Sequence, residues 1–419
     1  MTFHAPEAFP FRPVTQGMRS FEDARREALR LAAPVERSET VPLGAALGRV
    51  LAETIVAPRD LPAFDQAAMD GYAVRFADVA AGPLRIDGVT HAGDAQARLT
   101  PNCAHRIMTG ASLPAGADTV VPYEETIIAG EGVAMLGSAK PEGHIRKAGE
   151  DIARGQTVLT KGRRLAWPEI AALAALGIGS VRVTSPIRVS ILTTGAELRS
   201  AGETLSAAGI YDSNGPMLMA LLADSGVDVT RTTVGDSYDT LTERLADASR
   251  QADLIVTSAG MSSGDRDLVR AALAAVGGTI AVSSVAIKPG KPLALGRVGG
   301  AAFVGLPGNP QAAAFCALVF ARPMIAALSG RRRRAPIMAL SAFATGRPPE
   351  KTELVPVALE TVSGQLTARR VGQPGSHRLM PLLAADALAI VVAANAPLRA
   401  GDRLEVLPFH PPEFQGVPS

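Results

Sequence analysis

Three carboxylates and two lysines stand in short loops along one stretch of the chain: Glu197 in "TTGAEL", Asp236 in "GDS", Asp267 in "SAGMSSGDRD", and Lys288 and Lys291 in "KPGKP". Carboxylates beside a phosphate-binding surface repel the ligand unless a divalent cation lies between them. Mg2+ takes one or two protein carboxylates and fills its remaining positions with phosphate oxygens and water. Glu197, Asp236 and Asp267 are therefore the expected Mg2+ ligands, with the lysines as point charges on phosphate. Gly260, Gly264 and Gly308 let a ligand approach the backbone closely, and Ser262 adds a hydroxyl. A fifth loop, "GLPGNP" at 305–310, has a different character. Pro307 and Pro310 carry no N–H, so the loop makes a poor phosphate cradle. It reads as a stiff shelf, with Pro310 suited to the first turn of the following helix.

Each of these loops follows a strand-like run. "IRVSILTTG", "VDVTRTTVGD", "ADLIVTSAG", "TIAVSSVAIKPG", "KPLALGRV" and "AAFVGL" read as strands, and helical patterns lie between several of them. One of those helices opens at Ser237. Apolar strands alternating with helices predict a central, mostly parallel sheet over 186–330, covered on both faces. Ligands bind such sheets beyond the carboxyl ends of the strands, where these loops lie. Upstream, "RSFEDARREALRLAAP" reads as a first helix capped by Ser20. Residues 50–145 form a β-rich inserted domain of short strands and Gly/Pro turns. Segments 20–49 and 146–185 flank it as one discontinuous linking domain, with "WPEIAALAALGIGSVRV" read as helix. Residues 331–419 form a barrel-like C-terminal β domain. The fold class is α/β plus β-rich domains.

The composition excludes several classes. Among 419 residues, 42 basic and 40 acidic side chains leave a net charge of +2, so no global field recruits nucleic acid or a membrane. Aromatic residues are only 4%, too few for base-stacking platforms. The "RRRR" run at 331–334 reads as a solvated domain boundary. Cys103 and Cys316 form no disulfide framework, which fits the cytoplasm. Residues 1–20 show no apolar signal core. The apolar run 311–328 is broken by Arg322 and Pro323 and reads as a buried helix, not a membrane span. The histidines lack zinc-ligand spacing. No GxSxG elbow or GxxxxGK[ST] loop occurs.

In this order, the loops resemble those of the molybdopterin molybdenumtransferase family, which in turn is similar to the C-terminal domain of gephyrin. The matching stretches include "LPAFDQAAMDGYAV", "RIMTGASLPAGADTVVPYEE", "RKAGEDI", "ILTTGAEL", "YDSNGPML", "SAGMSSGDRD", "AIKPGKPLALG", "GLPGNP" and "GQPGSH". The resemblance implies an elongated subunit of several domains in a homodimer, with the cleft shared between subunits. It implies that adenylylated molybdopterin and molybdate are substrates, that AMP is released with Mg2+ assisting, and that a pterin adenylyltransferase and molybdoenzymes are partners. Carried over by motif, Asp65, Thr109, Glu197, Asp236 and Asp267 are the catalytic set. Asp151, Lys288, Lys291, Gly260, Ser262, Gly264, Pro307, Gly308, Pro310 and Ser376 bind substrate. A non-catalytic pterin or nucleotide binder, or a gephyrin-like scaffold, is the alternative reading.

The chain also departs from the family pattern. Ala196 stands where the family usually has Asp, Ala67 where it has Ser, and Ala259 where it has Gly. Ser284 replaces a lysine of some members, and Pro356 aligns with an arginine.

Overall fold

The computed structural model describes residues 17–137, 139–260, 268–332, 335–347, 349–373, 375–394 and 396–410. Ser262, Gly264 and Asp267 lie outside the described residues.

The central sheet has six strands in the order Val227–Val234, Ile187–Thr194, Leu254–Ser258, Ala301–Leu306, Ala294–Val298 and Thr279–Val282. The first four are parallel. Ala294–Val298 runs antiparallel to both its neighbours, so Thr279–Val282 at the edge points the same way as the first four. The reversal originates at Gly299 and Gly300, which leave Ala294–Val298 and Ala301–Leu306 joined by a two-residue hairpin. Gly299 has φ +55°, as such a turn requires.

Strand alternation divides the apolar side chains between two faces. Ile187, Val189, Ile191, Leu254 and Val256 pack with the helices Asn214–Leu222 and 310–328. Leu192, Ile255 and Phe303 pack with Leu241 and Leu245 of Tyr238–Gln251 and with Val269 and Leu273 of Leu268–Ala275. The first helix, Phe21–Leu31, is capped by Ser20, whose Oγ accepts the Asp23 N–H. Its Phe21, Ala24, Ala28 and Leu31 join the apolar cluster of the sheet, while Val41, Ala46, Leu51 and Ile55 pack with Leu165, Leu173, Val181 and Val183 in a separate one.

The run 310–328 is helical throughout, with 78% of its most apolar window buried in the fold. It contains a π turn over Ala317–Ala321. Pro323 lacks an N–H and would crowd the carbonyl of Val319, and the wider turn accommodates both effects.

In the linking region, Ser38–Pro42 pairs antiparallel with Ser180–Thr184. The stretch read as one helix is a helix, Trp167–Ala175, followed by that strand. Gly177 stops the helix at φ +75°. Its N–H reaches the Ala174 carbonyl, and the Ile178 N–H reaches that of Leu173. This is a Schellman closure, which a glycine at that position makes possible.

The inserted segment forms a six-stranded sheet from Gly71–Val74, Leu84–Thr90, Cys103–Ile107, Thr119–Pro122, Thr126–Ala129 and Gly132–Met135. At the carboxyl side, Ile337–Ser341, Gln365–Arg370, Thr352–Val362, Ala387–Val391 and Arg403–Pro408 pair in a ring, with the last strand returning to the first. These five strands close a barrel around Val355, Val357, Ala389 and Val406.

Candidate functional site

The loops leaving the carboxyl ends of the parallel strands converge on one rim. Strand Ile187–Thr194 leads to Gly195 and Glu197, and its parallel neighbour Val227–Val234 leads to Asp236. Gly195 has φ +149°, and a Cβ there would lie 2.7 Å from Glu197 Oε2. Glycine is required so that the carboxylate can fold back over the turn. Glu197 and Asp236 are both exposed. They are hard oxygen donors at the ends of adjacent strands, a set that suits Mg2+ completed by phosphate and water. Among the described residues no group of three or more metal-ligating side chains occurs.

Beneath this rim lies a polar network that sequence reasoning missed. Asp212 is buried. It accepts hydrogen bonds from Thr193 Oγ1 at 2.9 Å and from the Gly215 N–H at 2.8 Å. Arg231 pairs with it at 3.2 Å. Two residues on, the Asn214 Nδ2 donates to Ser258 Oγ at 2.9 Å and to the Gly308 carbonyl at 2.6 Å. One amide thus ties the start of a helix, the end of a strand and the "GLPGNP" turn together. In "YDSNG" polar residues precede an apolar helix, which marks a helix start but not these distant partners.

The "SAGM" and "GLPGNP" loops also touch directly. The Ala259 N–H donates to the Leu306 carbonyl at 3.2 Å. Ala259 has φ +75°. Its methyl would sit 3.3 Å from a Cβ on Gly308, so glycine at 308 leaves room for the alanine at 259. Gly260 follows at φ +73°, where a Cβ would lie 2.3 Å from Val269 Cγ2. Pro307 is buried, Gly308 is exposed, and Pro310 occupies the first turn of its helix.

"KPGKP" is packed against the same helix. A Cβ on Gly290, φ +115°, would lie 2.5 Å from Cys316 Sγ. Burial pushes the Cys316 thiol pKa up, so it stays protonated. Lys288 is 70% exposed, and its Nζ lies 3.8 Å from Glu353 Oε1. Its strand, Ile287–Lys288, pairs in parallel with Thr352–Glu353 of the barrel strand. Lys291 is exposed. Ser376 also reaches this rim: its Oγ accepts from Asn309 Nδ2 at 2.9 Å, and its carbonyl accepts from the Gln311 N–H at 3.1 Å.

The remaining candidates form a second group on and beside the inserted sheet. Asp65 accepts the Ala148 N–H at 2.8 Å and lies 3.5 Å from Lys147 Nζ. The Thr109 N–H and Oγ1 both donate to Asp70 Oδ1 at 2.7 Å. These bonds, the backbone one first, hold the Asp70 carboxyl below the usual carboxylate range. Asp70, in "MDGYA", is the residue that orients Thr109. Asp151 is exposed, and its N–H donates to the Leu61 carbonyl at 3.1 Å. Among the described residues, no hydrogen bond or ion pair joins Asp65, Thr109 or Asp151 to Glu197, Asp236, Lys288 or Lys291.

Of the departures, Ala67 is fully buried in the short pairing of Gln66–Ala67 with Ile145–Arg146, where a small apolar side chain fits. Pro356 lies in the barrel strand opposite Leu388. Ser284 accepts the Arg19 N–H at its carbonyl, tying the chain before the first helix to the core.

Three family models match successive parts of the chain. The "MoeA N-terminal region (domain I and II)" covers 19–177, the "Probable molybdopterin binding domain" 190–327, and the "MoeA C-terminal region (domain IV)" 339–409. Molybdopterin molybdenumtransferase 2 of Mycobacterium tuberculosis is 37% identical over 410 residues, spanning 93% of this chain and 99% of that protein. The molybdopterin molybdenumtransferase of Haemophilus influenzae is 32% identical over 404 residues, spanning 94% and 99%. Crystal structures of a molybdopterin biosynthesis moeA protein from Pyrococcus horikoshii superpose with TM-scores of 0.78 and 0.80 at 28% and 26% identity. They span 94% of this chain and 100% of that one, and 93% and 99%, respectively. On the strength of these matches along nearly its whole length, the chain belongs to the molybdopterin molybdenumtransferase family.

Proposed function

We propose that this protein inserts molybdenum into molybdopterin, taking the adenylylated pterin and molybdate and releasing AMP. The observation that carries the reading is that the loops bearing Glu197, Asp236, Lys288, Lys291 and the "GLPGNP" turn all leave the same end of the central sheet, in a chain whose relatives bear that transferase name. The same relatives favour a transferase over a pterin binder without turnover or a gephyrin-like scaffold.

The chemistry asked of the residues is charge neutralisation at a phosphoryl centre. A water oxygen bonds to the adenylyl phosphorus as the P–O–P bond breaks; AMP leaves carrying that oxygen, and the pterin keeps its phosphate with the former bridging oxygen. Glu197 and Asp236, with Asp267, would hold Mg2+, which supplies positive charge to the phosphate oxygens when bound. Lys288 and Lys291 take the oxyanion charge. The Pro307–Pro310 shelf, poor in N–H donors, supports an uncharged part of the ligand. No covalent protein intermediate is needed.

Asp65, Thr109 and Asp151 enter this reading through a homodimer, in which the inserted domain of one protomer faces the sheet loops of the other. A division into 20–49 with 146–185, 50–145, 186–330 and 331–419, and a cytoplasmic location, complete the proposal. The test is Mg2+ titration of AMP release by purified protein. Glu197→Gln and Asp236→Asn should each raise the Mg2+ concentration needed without changing the melting temperature. Unchanged Mg2+ curves in both variants would remove these residues from the metal site.

A further inference from the structure

Two exposed carboxylates share one cation well only if the backbone holds them at a fixed spacing. Glu197 and Asp236 leave neighbouring strands, and the last rung between those strands runs from the Gly195 N–H to the Val234 carbonyl at 3.3 Å. Beyond that rung the chain carrying Glu197 makes an excursion. Leu198–Arg199 pairs in parallel with Ile210–Tyr211. The Ile210 N–H donates to the Glu197 carbonyl at 2.9 Å, and the Asp212 N–H to the Arg199 carbonyl at 2.8 Å. Arg199 Nη1 closes the turn, donating to the Ala196 and Leu198 carbonyls at 2.9 and 2.7 Å. The backbone of Glu197 is thus tied to the short strand that ends at Asp212.

At Asp212 the excursion returns to the sheet. Its side chain is 2% exposed. Oδ1 accepts the Gly215 N–H at the start of the next helix. Oδ2 accepts from Thr193 Oγ1, on the strand that leads to Glu197, and from Arg231 Nη1, on the strand that leads to Asp236. Thr193 and Thr233 are register partners, and their hydroxyl oxygens lie 3.2 Å apart. One carboxylate therefore binds both strands shortly before each rim carboxylate. Gly215 leaves room for this, since a Cβ there would lie 2.5 Å from Asp212 Oδ2 and 2.8 Å from Arg231 Nη1. Both oxygens of Asp212 are occupied, so it acts on the rim through the residues it holds and not as a ligand.

We propose that Asp212 is a positioning residue for the cation site: its carboxylate fixes both strand ends and the 198–212 excursion, so that Glu197 and Asp236 are pre-arranged for one divalent cation. This rests on the Mg2+ reading given above. Groups behind a metal's ligands orient them, and losing such support costs roughly 10- to 100-fold in affinity. Asp212 acts through the backbone, so the lower end of that range applies.

The test is a Mn2+ titration of the full chain with AMP present, read from the electron paramagnetic resonance of the free ion. Mn2+ prefers the same oxygen ligands as Mg2+, and the readout does not depend on turnover. Asp212→Asn should weaken Mn2+ binding roughly tenfold. Thr193→Val removes one donor while keeping the side-chain shape, and should weaken binding by a smaller factor. Leu245→Ala opens the apolar cluster on the other face of the sheet. It should lower the melting temperature and leave Mn2+ binding unchanged. Binding unchanged in both Asp212→Asn and Thr193→Val would overturn the proposal. So would a loss in Leu245→Ala as large as in Asp212→Asn, because the effect would then follow from stability alone. No Mn2+ binding by the unsubstituted chain, or a curve indifferent to Glu197→Gln, would overturn the Mg2+ reading and this proposal with it.

Discussion

Asn309 donates a hydrogen bond from Nδ2 to Ser376 Oγ at 2.9 Å, joining the "GLPGNP" turn to a loop beside the C-terminal barrel. Asn309 stands at the helix N-cap position, yet its side chain makes no capping bond there. The polar group that could cap the helix is instead spent on holding two parts of the chain together. A double-mutant cycle with Asn309→Ala and Ser376→Ala should give a coupling of about 0.5–1.5 kcal/mol in chemical denaturation. Strict additivity would mean that the contact contributes nothing.

Ala259 occupies a left-handed conformation, φ +75°. That conformation costs a non-glycine residue about 1–2 kcal/mol, partly recovered because alanine restricts the unfolded chain. Ala259→Gly should therefore raise stability by about 0.5–1 kcal/mol in urea melts. Gly260→Ala should do the reverse and more strongly, because its Cβ would meet Val269 at 2.3 Å. If Ala259→Gly lowers stability, the methyl packing outweighs the strain.

Gly290 and Cys316 predict a rescue. Gly290→Ala places its Cβ 2.5 Å from Cys316 Sγ and should destabilise by about 1–3 kcal/mol. Adding Cys316→Ala removes the sulfur and should restore part of the loss. The remainder reflects the φ of +115° and Ile287 Cδ1 at 2.9 Å. A double variant no more stable than Gly290→Ala alone would place the cost entirely in the backbone.

Asp253 predicts the acid response. Burial raises its carboxyl pKa, but hydrogen bonds from Arg37 and from the Arg188 N–H and side chain outweigh burial, and the net pKa is lowered. A carboxylate whose folded pKa lies below its unfolded value adds stability above the unfolded value. That stability is lost as pH falls through the folded one. The loss should begin near the ordinary aspartate value of about 3.9 and continue below it. Asp253→Asn should lower stability at neutral pH and flatten this part of the urea-midpoint curve. An unchanged slope would assign acid unfolding to other carboxylates.

Much of this organisation is legible in the sequence because local chemistry and fold agree. Ser20 and Ser237 cap the helices they precede. The apolar runs "IRVSILTT" and "ADLIVTS" are strands of the central sheet, because a strand covered on both faces needs no polar alternation. The one reversed strand, Ala294–Val298, was less visible, since its cause is the two-glycine turn at 299–300 and not the strand pattern. Asp212 and Asn214 were hidden for another reason. Their roles depend on Thr193, Ser258 and Gly308, which are distant in sequence and meet only once the sheet forms. Ser376 was named from its motif, whereas its bonds to Asn309 and Gln311 required the fold.

The central claim is that the sheet-end loops load molybdenum while AMP leaves. Purified protein mixed with adenylylated molybdopterin, molybdate and Mg2+ should release AMP and retain molybdenum on the pterin in equal amounts, both measured on the same sample. Omitting molybdate should abolish the molybdenum product. AMP release with no molybdenum retained on the pterin, or retention of both substrates unchanged, would contradict the account.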